Sequence, residues 1–323
     1  YSESQPPLLS WASWRIYKKS GNLDFLKAVY PKLKLYHEWL LKERQNKDGL
    51  FFWKHPYESG IDNSPRFSTR SENRFEDTTQ MAAVDLSAYM ALSMESLALI
   101  ANELNLPDEK RAFTQQYTKL KTLINEKLWD SARGMYFDWS YKKKAFIHIE
   151  TISNLTPMVA GIPDRDQAKK MMEKIIDPNY YNTTIPFPSV ARNEKTFSKD
   201  MWRGPVWINM AYLGVLGVDR YGFRQESRYL ARKIVKGVFE TWKNTGRFYE
   251  FYDPDRFDIK ELHRKKGNLW KKITLGSKPV KDFVGWTGLA NSLLIEFGEE
   301  FPKPYPKGPF SYLAPEAVEV LVP

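Results

Sequence analysis

Three short segments of this chain bring together residue types suited to acid–base chemistry under aromatic cover. The first is Trp53-Lys54-His55-Pro56-Tyr57-Glu58-Ser59-Gly60-Ile61-Asp62-Asn63-Ser64-Pro65-Arg66. It sets Asp62 in a turn-forming run between an aromatic cluster and an arginine. Asp-Asn-Ser-Pro has a purely structural reading, an Asx-turn that shapes the loop. It also has a chemical one: a carboxyl held by a rigid turn beside aromatic rings, where desolvation raises the pKa and suits it to general-acid work. The second is Met201-Trp202-Arg203-Gly204-Pro205-Val206-Trp207-Ile208-Asn209, two tryptophans around an Arg-Gly-Pro turn at a helix start. Free backbone N–H groups there, with Arg203, could bind hydroxyls or an anion; the plainer reading is a well-packed helix entry. The third, Gly246-Arg247-Phe248-Tyr249-Glu250-Phe251-Tyr252-Asp253-Pro254, places Glu250 among four aromatics. On a half-buried strand, alternation sets Glu250 on the face of Phe248 and Tyr252; a surface strand is the alternative. Two carboxyls in aromatic loops and a Trp-rich helix entry are the equipment of glycoside hydrolysis. One acid protonates the leaving oxygen, and the other carboxylate activates water or attacks.

Composition narrows the field around these segments. The chain has 323 residues with no Cys and four His. Disulfide scaffolds, thiol nucleophiles and Cys-ligated metals are therefore excluded, and the scattered histidines, never at metal spacing, argue against a His-built metal site. Asp and Glu form no cluster that demands calcium, and no cofactor is called for. No apolar stretch approaches the roughly 18 residues needed to cross a membrane. The net charge of +10 is dispersed. By itself it is compatible with nucleic acid, an anionic small substrate or a solvated surface. The basic run Arg264-Lys265-Lys266…Lys271-Lys272 reads as a solvated loop without the aromatic arrangement of a nucleic-acid module, so neither nucleic acid nor membrane is expected as a partner. Aromatic residues make up 15% of the chain, with 11 Trp and 18 Tyr. They serve either as sugar platforms or as filler for a large helical core.

The elements that must position these residues are helical. Pro6-Pro7 opens a helix through Trp11, Trp14 and Tyr17. A second carries Leu23, Leu26, Val29, Leu33, Tyr36 and Leu40, and Pro31 is expected to kink or divide it. A long non-periodic stretch, 48–76, holds Asp62; loops of that length are usually functional or disordered. Residues 78–105 read as a buried helix, and Asp108 as the cap of the next, which ends near Leu128. Residues 129–138 read as a hairpin turning at Gly134. Shorter helices follow at 154–160 and 164–176, and Pro186 and Pro188 exclude helix between them and the next. Pro205 sits as an N1 proline opening a helix to Leu216. Further helices cover 225–243 and 285–297. The expectation is about nine helices, no convincing sheet, a catalytic portion over 1–300 and an extended Pro-rich tail over 301–323.

The combination resembles glycoside hydrolase family 63. Glu58-Ser59-Gly60-Ile61-Asp62-Asn63-Ser64-Pro65-Arg66 looks like its general-acid segment, with Trp53 and His55-Pro56 in keeping. Trp202-Arg203-Gly204-Pro205-Val206-Trp207 resembles the helix entry shared with the related trehalases of family 37. Phe248-Tyr249-Glu250-Phe251-Tyr252-Asp253-Pro254 is similar to the general-base segment, and Phe283-Val284-Gly285-Trp286-Thr287 matches the closing motif. The Gln-Trp-Asp-type signature of trehalases is not found. The resemblance implies an all-α (α/α)6 toroid that hydrolyses α-glycosidic bonds with inversion, Asp62 being the general acid and Glu250 the general base. It implies a sugar subsite lined by Trp202, Arg203, Gly204, Trp207 and Trp286, with Trp53, Tyr57, Asn63, Arg66 and Tyr252 close by. Inverting carboxyls stand about 6.5–9.5 Å apart. Ser68 departs from the family pattern, where an Asp is expected after the Pro-Arg-aromatic step.

Such a toroid has twelve helices, so roughly three are expected to lie outside this chain, together with the family's N-terminal β-sandwich. A second chain or a preceding segment would then complete the barrel. Family members remove terminal glucose from oligosaccharides or split mannosylglycerate and glucosylglycerate, and a carbohydrate substrate of that kind is expected here. Two other readings stay open. One is a catalytically defective sugar-binding or regulatory relic of the same fold; the other is a helical toroid of another class, for which Asp253-Pro254-Asp255 is a poor metal motif. The compartment is not fixed by the sequence: zero Cys fits the cytoplasm without excluding export, and Asn154 and Asn182 lie in formal glycosylation triplets.

Overall fold

A computed structural model describes residues 3–67, 77–264, 273 and 276–298. The basic residues 265–272, Ser68 and the Pro-rich tail over 301–323 lie outside the described residues. The chain divides into two compact units. The first draws on Tyr1–Asp62 and Glu76–His148, the second on Asn63–Phe75 and Ile149–Pro323.

The first unit is built on four helices, α1 (Leu9–Ser20), α2 (Leu23–Arg44), α3 (Val84–Glu103) and α4 (Pro107–Leu128). Asn22 caps α2 by accepting from the Phe25 N–H at 3.0 Å. Pro31 neither ends nor divides α2, which runs unbroken to Arg44. The third helix is buried along nearly its whole length because small residues, Ser87, Ala88, Ala91, Ser93 and Ala101, let its neighbours approach. Its Ser93 Oγ donates to Ser10 Oγ of α1 at 3.2 Å. Around it, Leu26, Tyr30 and Leu33 of α2 meet Leu97, Ile100 and Ala101 of α3 and Phe113 of α4. Truncating a buried Leu of this kind costs about 2–5 kcal/mol. By length and composition α3 could cross a membrane, contrary to the expectation that no stretch comes close, but 89% of that apolar window is buried within the protein.

Three sequence expectations shift at element boundaries. Residues 78–80 form a 3₁₀ turn, and Met81–Ala82 (β1) pair with Ser140 and Trp139 before α3 begins. The first donors of α3 are met from outside the helix: Val84 N–H by Asp138 Oδ1 at 2.8 Å, and the preceding Ala83 N–H by the Phe51 carbonyl at 2.7 Å. The fourth helix starts on Pro107, so Asp108 sits in its first turn rather than at its cap, where it still favours the helix dipole. The hairpin expected over 129–138 is present: Trp129–Asp130 (β2) pairs antiparallel with Met135–Tyr136 (β3). Small sheet is also present where none was expected. Trp139–Ser140 (β4) stands between β1 and Ala145–Phe146 (β5).

The second unit contains α5 (Thr156–Val159), α6 (Arg165–Ile175), α7 (Ile208–Arg220), α8 (Arg224–Thr245), α9 (Val284–Thr287) and α10 (Leu289–Phe297). Asp164 and Gln167 close a reciprocal capping box on α6, both bonds 2.8 Å. The seventh helix is the centre of this unit, packing on α5, α8 and α10. Gly217 makes its contact with α5 close, since a Cβ there would stand 2.9 Å from Met158 Cβ. Pro205 does not open α7. Val206 is extended and exchanges two 2.9 Å bonds with Tyr252, which forbids helical geometry until Trp207 has passed.

Candidate active site

In the first unit the acid segment is anchored by a buried ion pair. Pro56–Ser59 forms one 3₁₀ turn, and Glu58 within it is fully buried. Arg44 donates to Glu58 Oε1 from Nη2 at 2.6 Å and to both carboxylate oxygens from Nε. The Ser4 and Lys54 N–H groups donate to Glu58 as well, each at 2.7 Å. Burial pushes the Glu58 carboxyl up, but Arg44 and the two backbone donors outweigh it and hold the group below the usual glutamate value. The turn is tightened further, since Ser59 Oγ donates to the Pro56 carbonyl and accepts from the Ile61 N–H. Asp62 follows directly, half-buried in a turn. Tyr57 is exposed and packs on His55, ring centres 4.6 Å apart. Trp53 has no exposed surface, and its indole N–H is given to Asp85 Oδ1 at 2.9 Å. It is a core residue under the loop in this structure.

The second unit gathers most of the other residues singled out by sequence. Trp202 and Trp207 stack face to face, ring centres 3.8 Å apart and 7° from parallel. Trp286 leans on both, 6.4 Å and 5.3 Å away. The inner two are buried, whereas Trp286 is 38% exposed. The Trp207 indole N–H donates to the Met201 carbonyl at 2.9 Å. Met201 itself is held at φ 44, in the left-handed region that a residue with a side chain enters only at a cost in strain. Asn63, the residue after Asp62, is tied into this wall. Its Oδ1 accepts from the Trp202 N–H at 2.9 Å, its Nδ2 donates to Asp200 Oδ2 at 3.3 Å, and its carbonyl accepts from Arg203 Nη1 at 3.2 Å. Arg66 is buried, with its guanidinium over the Phe67 ring. Gly204 lies so close to the chain that a Cβ would stand 2.3 Å from the Ser198 carbonyl oxygen.

Glu250 belongs to the same unit, 6% exposed. Its segment is not a continuous strand. Single bridges, Tyr249 to Lys281 and Tyr252 to Val206, hold it, and the Glu250 N–H donates to the Val280 carbonyl at 3.0 Å. Burial pushes the Tyr252 phenol up; its hydroxyl donates to Thr287 Oγ1 and accepts from the Tyr249 N–H. The Glu250 carboxylate is gripped by Arg264, Nε to Oε2 at 2.9 Å and Nη2 to Oε1 at 3.1 Å. Arg264 therefore does not belong to a solvated basic loop as its sequence neighbours suggest. Nearby, Lys199 Nζ meets Asp253, Asp255 and Glu261 at once. Sequence reasoning missed Asp200, Lys199 and Arg264. Asp200, an acid directly before the Trp-rich entry, offered some signal; Arg264, inside a run of like charge, offered none. Among the described residues no cluster of three His, Asp or Glu could hold a metal ion.

A mostly helical scaffold whose second unit holds a buried carboxylate, Glu250, and a set of stacked tryptophans is the equipment of a helical glycoside hydrolase. Its fold is shared with the family 63 mannosylglycerate hydrolase of Thermus thermophilus in complex with glucose: TM-score 0.69 at 23% identity, covering 80% of this chain and 71% of that one. The model of the mannosylglycerate hydrolase MGH1-like glycoside hydrolase domain matches residues 2–263, and the chain belongs to that family. A mannosylglycerate hydrolase of Rubrobacter radiotolerans is 27% identical over 307 residues, covering 77% of this chain and 68% of that protein. A probable mannosyl-oligosaccharide glucosidase of Schizosaccharomyces pombe is 25% identical over 311 residues, covering 85% of this chain, which spans 35% of that protein's length. The expected all-α, (α/α)6-type fold class is thus the one found.

Proposed function

We propose that this glycoside hydrolase is an inverting, exo-acting α-glycosidase that removes a terminal α-linked glucose or mannose from an oligosaccharide or a glycosylglycerate. Asp62 is the general acid, protonating the glycosidic oxygen as the bond breaks. Glu250 is the general base, taking a proton from the water that attacks the anomeric carbon from the opposite face. The observation that carries this reading is Glu250 itself: a buried carboxylate in the unit where Trp202, Trp207 and Trp286 converge. A charge that needed only solvent would not be placed there. Trp286, 38% exposed, supplies a ring on which a sugar can stack, while the Trp202–Trp207 pair, Asn63, Arg203 and Gly204 fix the wall behind it. Arg66 and Tyr252 support that wall, and Trp53 and Tyr57 support the acid loop. Residues 1–300 act as the catalytic portion, with 301–323 appended. The names of the relatives favour mannosylglycerate and glucosyl oligosaccharides as first substrates.

The test is to incubate the full-length protein with mannosylglycerate, glucosylglycerate and an α-glucosyl oligosaccharide and to follow fresh product by NMR. Initial release of the β-anomer is expected, and the α-anomer overturns inversion. Asp62→Asn and Glu250→Gln should each lower kcat by about 10²–10⁴-fold. Near-normal turnover by either removes that residue from its role.

A further inference from the structure

Arg264 has one side-chain task in this structure. Its Nε and Nη2 both donate to Glu250, and among the described residues the guanidinium has no other hydrogen-bond partner. Its Nη1 is buried and meets no acceptor among the described residues. The placement is built by backbone. The His263 N–H donates to the Lys199 carbonyl at 2.8 Å, the His263 carbonyl accepts from the Met201 N–H at 3.1 Å, and the Arg264 N–H donates to the Ser277 carbonyl at 3.0 Å. The residue before Arg264 is thus stitched to the strained entry of the tryptophan wall, and Arg264 itself to the returning chain.

The consequence for Glu250 is an asymmetry between its oxygens. Oε2 accepts from Arg264 Nε and from the Val280 N–H, at 2.9 Å and 3.3 Å. Among the described residues Oε1 accepts from Arg264 Nη2 only. A carboxylate oxygen has about two acceptor sites, so the described residues fill Oε2 and leave one site on Oε1. We propose that Arg264 is the positioning residue of the general base: with Val280 N–H it fixes the Glu250 carboxylate so that Oε1 alone faces the attacking water. This rests on the reading of Glu250 as the base. In the reaction Oε1 accepts one proton from water as the oxygen of that water bonds to the anomeric carbon, and Arg264 neither gives nor takes a proton. A planar fork does this better than an ammonium, because two parallel bonds fix the rotation of the carboxylate as well as its place.

Kinetics on whichever of the three substrates is cleaved fastest tests the proposal. Arg264→Ala should lower kcat by about 100-fold, the scale of an ångström-sized misplacement of a reacting group, with KM within about twofold. Millimolar guanidinium should restore part of that rate, and an equal concentration of sodium chloride should not. Arg264→Lys, which keeps the charge but loses the fork, should still lose about tenfold in kcat, and it carries the test if the alanine variant does not fold. In a Glu250→Gln background, Arg264→Ala should add no further loss. Wild-type or higher kcat in Arg264→Lys, no guanidinium rescue of a folded alanine variant, or losses that multiply in the double variant each overturn the role of Arg264. Full activity of Glu250→Gln alone, or no cleavage of any of the three substrates by the unaltered protein, instead overturns the reading of the site beneath it.

Discussion

Trp202 and Trp207 stack with ring centres 3.8 Å apart and nearly parallel, while the indole N–H of Trp207 bonds to the carbonyl of Met201. The Arg-Gly-Pro turn between them is thereby folded back so that two aromatic rings form one rigid wall. The wall's outer member is Trp286, contributed by α9 far along the chain.

The two kinds of tryptophan should respond differently to truncation. Trp207→Ala, at a residue 1% exposed, should cost about 3–5 kcal/mol of stability, read from denaturant unfolding. Trp286→Ala, at a residue 38% exposed, should cost less stability than that and, if the ring is the proposed sugar platform, raise KM. Equal stability losses in both variants would contradict this division.

Gly204 should tolerate no side chain. A Cβ there would stand 2.3 Å from a backbone carbonyl, which cannot rotate aside as a flexible side chain can. Gly204→Ala is expected to destabilise the protein by more than about 1–3 kcal/mol and to displace the Trp202 turn. A thermal melt and the tryptophan fluorescence of the variant check both effects.

Glu58 should make the protein acid-sensitive. Its folded carboxyl titrates below the usual glutamate value, so it contributes stability above that value, and the contribution is lost as pH falls through the folded pKa. Unfolding free energy should therefore fall as pH drops below about 4.5. Glu58→Gln should flatten that part of the profile. At neutral pH the same variant removes the negative charge that compensates buried Arg44 and should cost about 3–5 kcal/mol.

Lys233 acts at the other end of the scale. Burial lowers its ammonium to about 8, although it donates to the Asn182 side chain and carbonyl. The unfolded chain then binds more protons than the folded one between about pH 8 and 10.5, so this group adds stability as pH rises through that window. Lys233→Met should remove the alkaline gain, measured as unfolding free energy at about pH 7.5 and 10, on either side of the folded pKa.

The division between what was legible in sequence and what was not follows the range of the forces involved. Apolar period located the helices, since burial along one face is written every three or four residues. Their ends were less legible because they are set by distant partners: Val206 is pulled out of α7 by Tyr252, and the start of α3 is met by Asp138 and Phe51. Trp53 illustrates the same limit at the site. Its type and place in the acid segment were plain, but only packing against Asp85 shows that its ring is core.

By itself the sequence determined the helical class and the two carboxyl-bearing motifs, because residue type and local turn chemistry travel with the chain. The tertiary structure alone decided which partners those carboxyls face. Glu58 meets Arg44, and Glu250 meets Arg264, within a stretch of basic residues that sequence reads as solvated. A buried charge is made tolerable by the opposite charge that folding brings to it, and backbone pairing of His263 with Lys199 and Met201, invisible to residue type, is what brings Arg264 there.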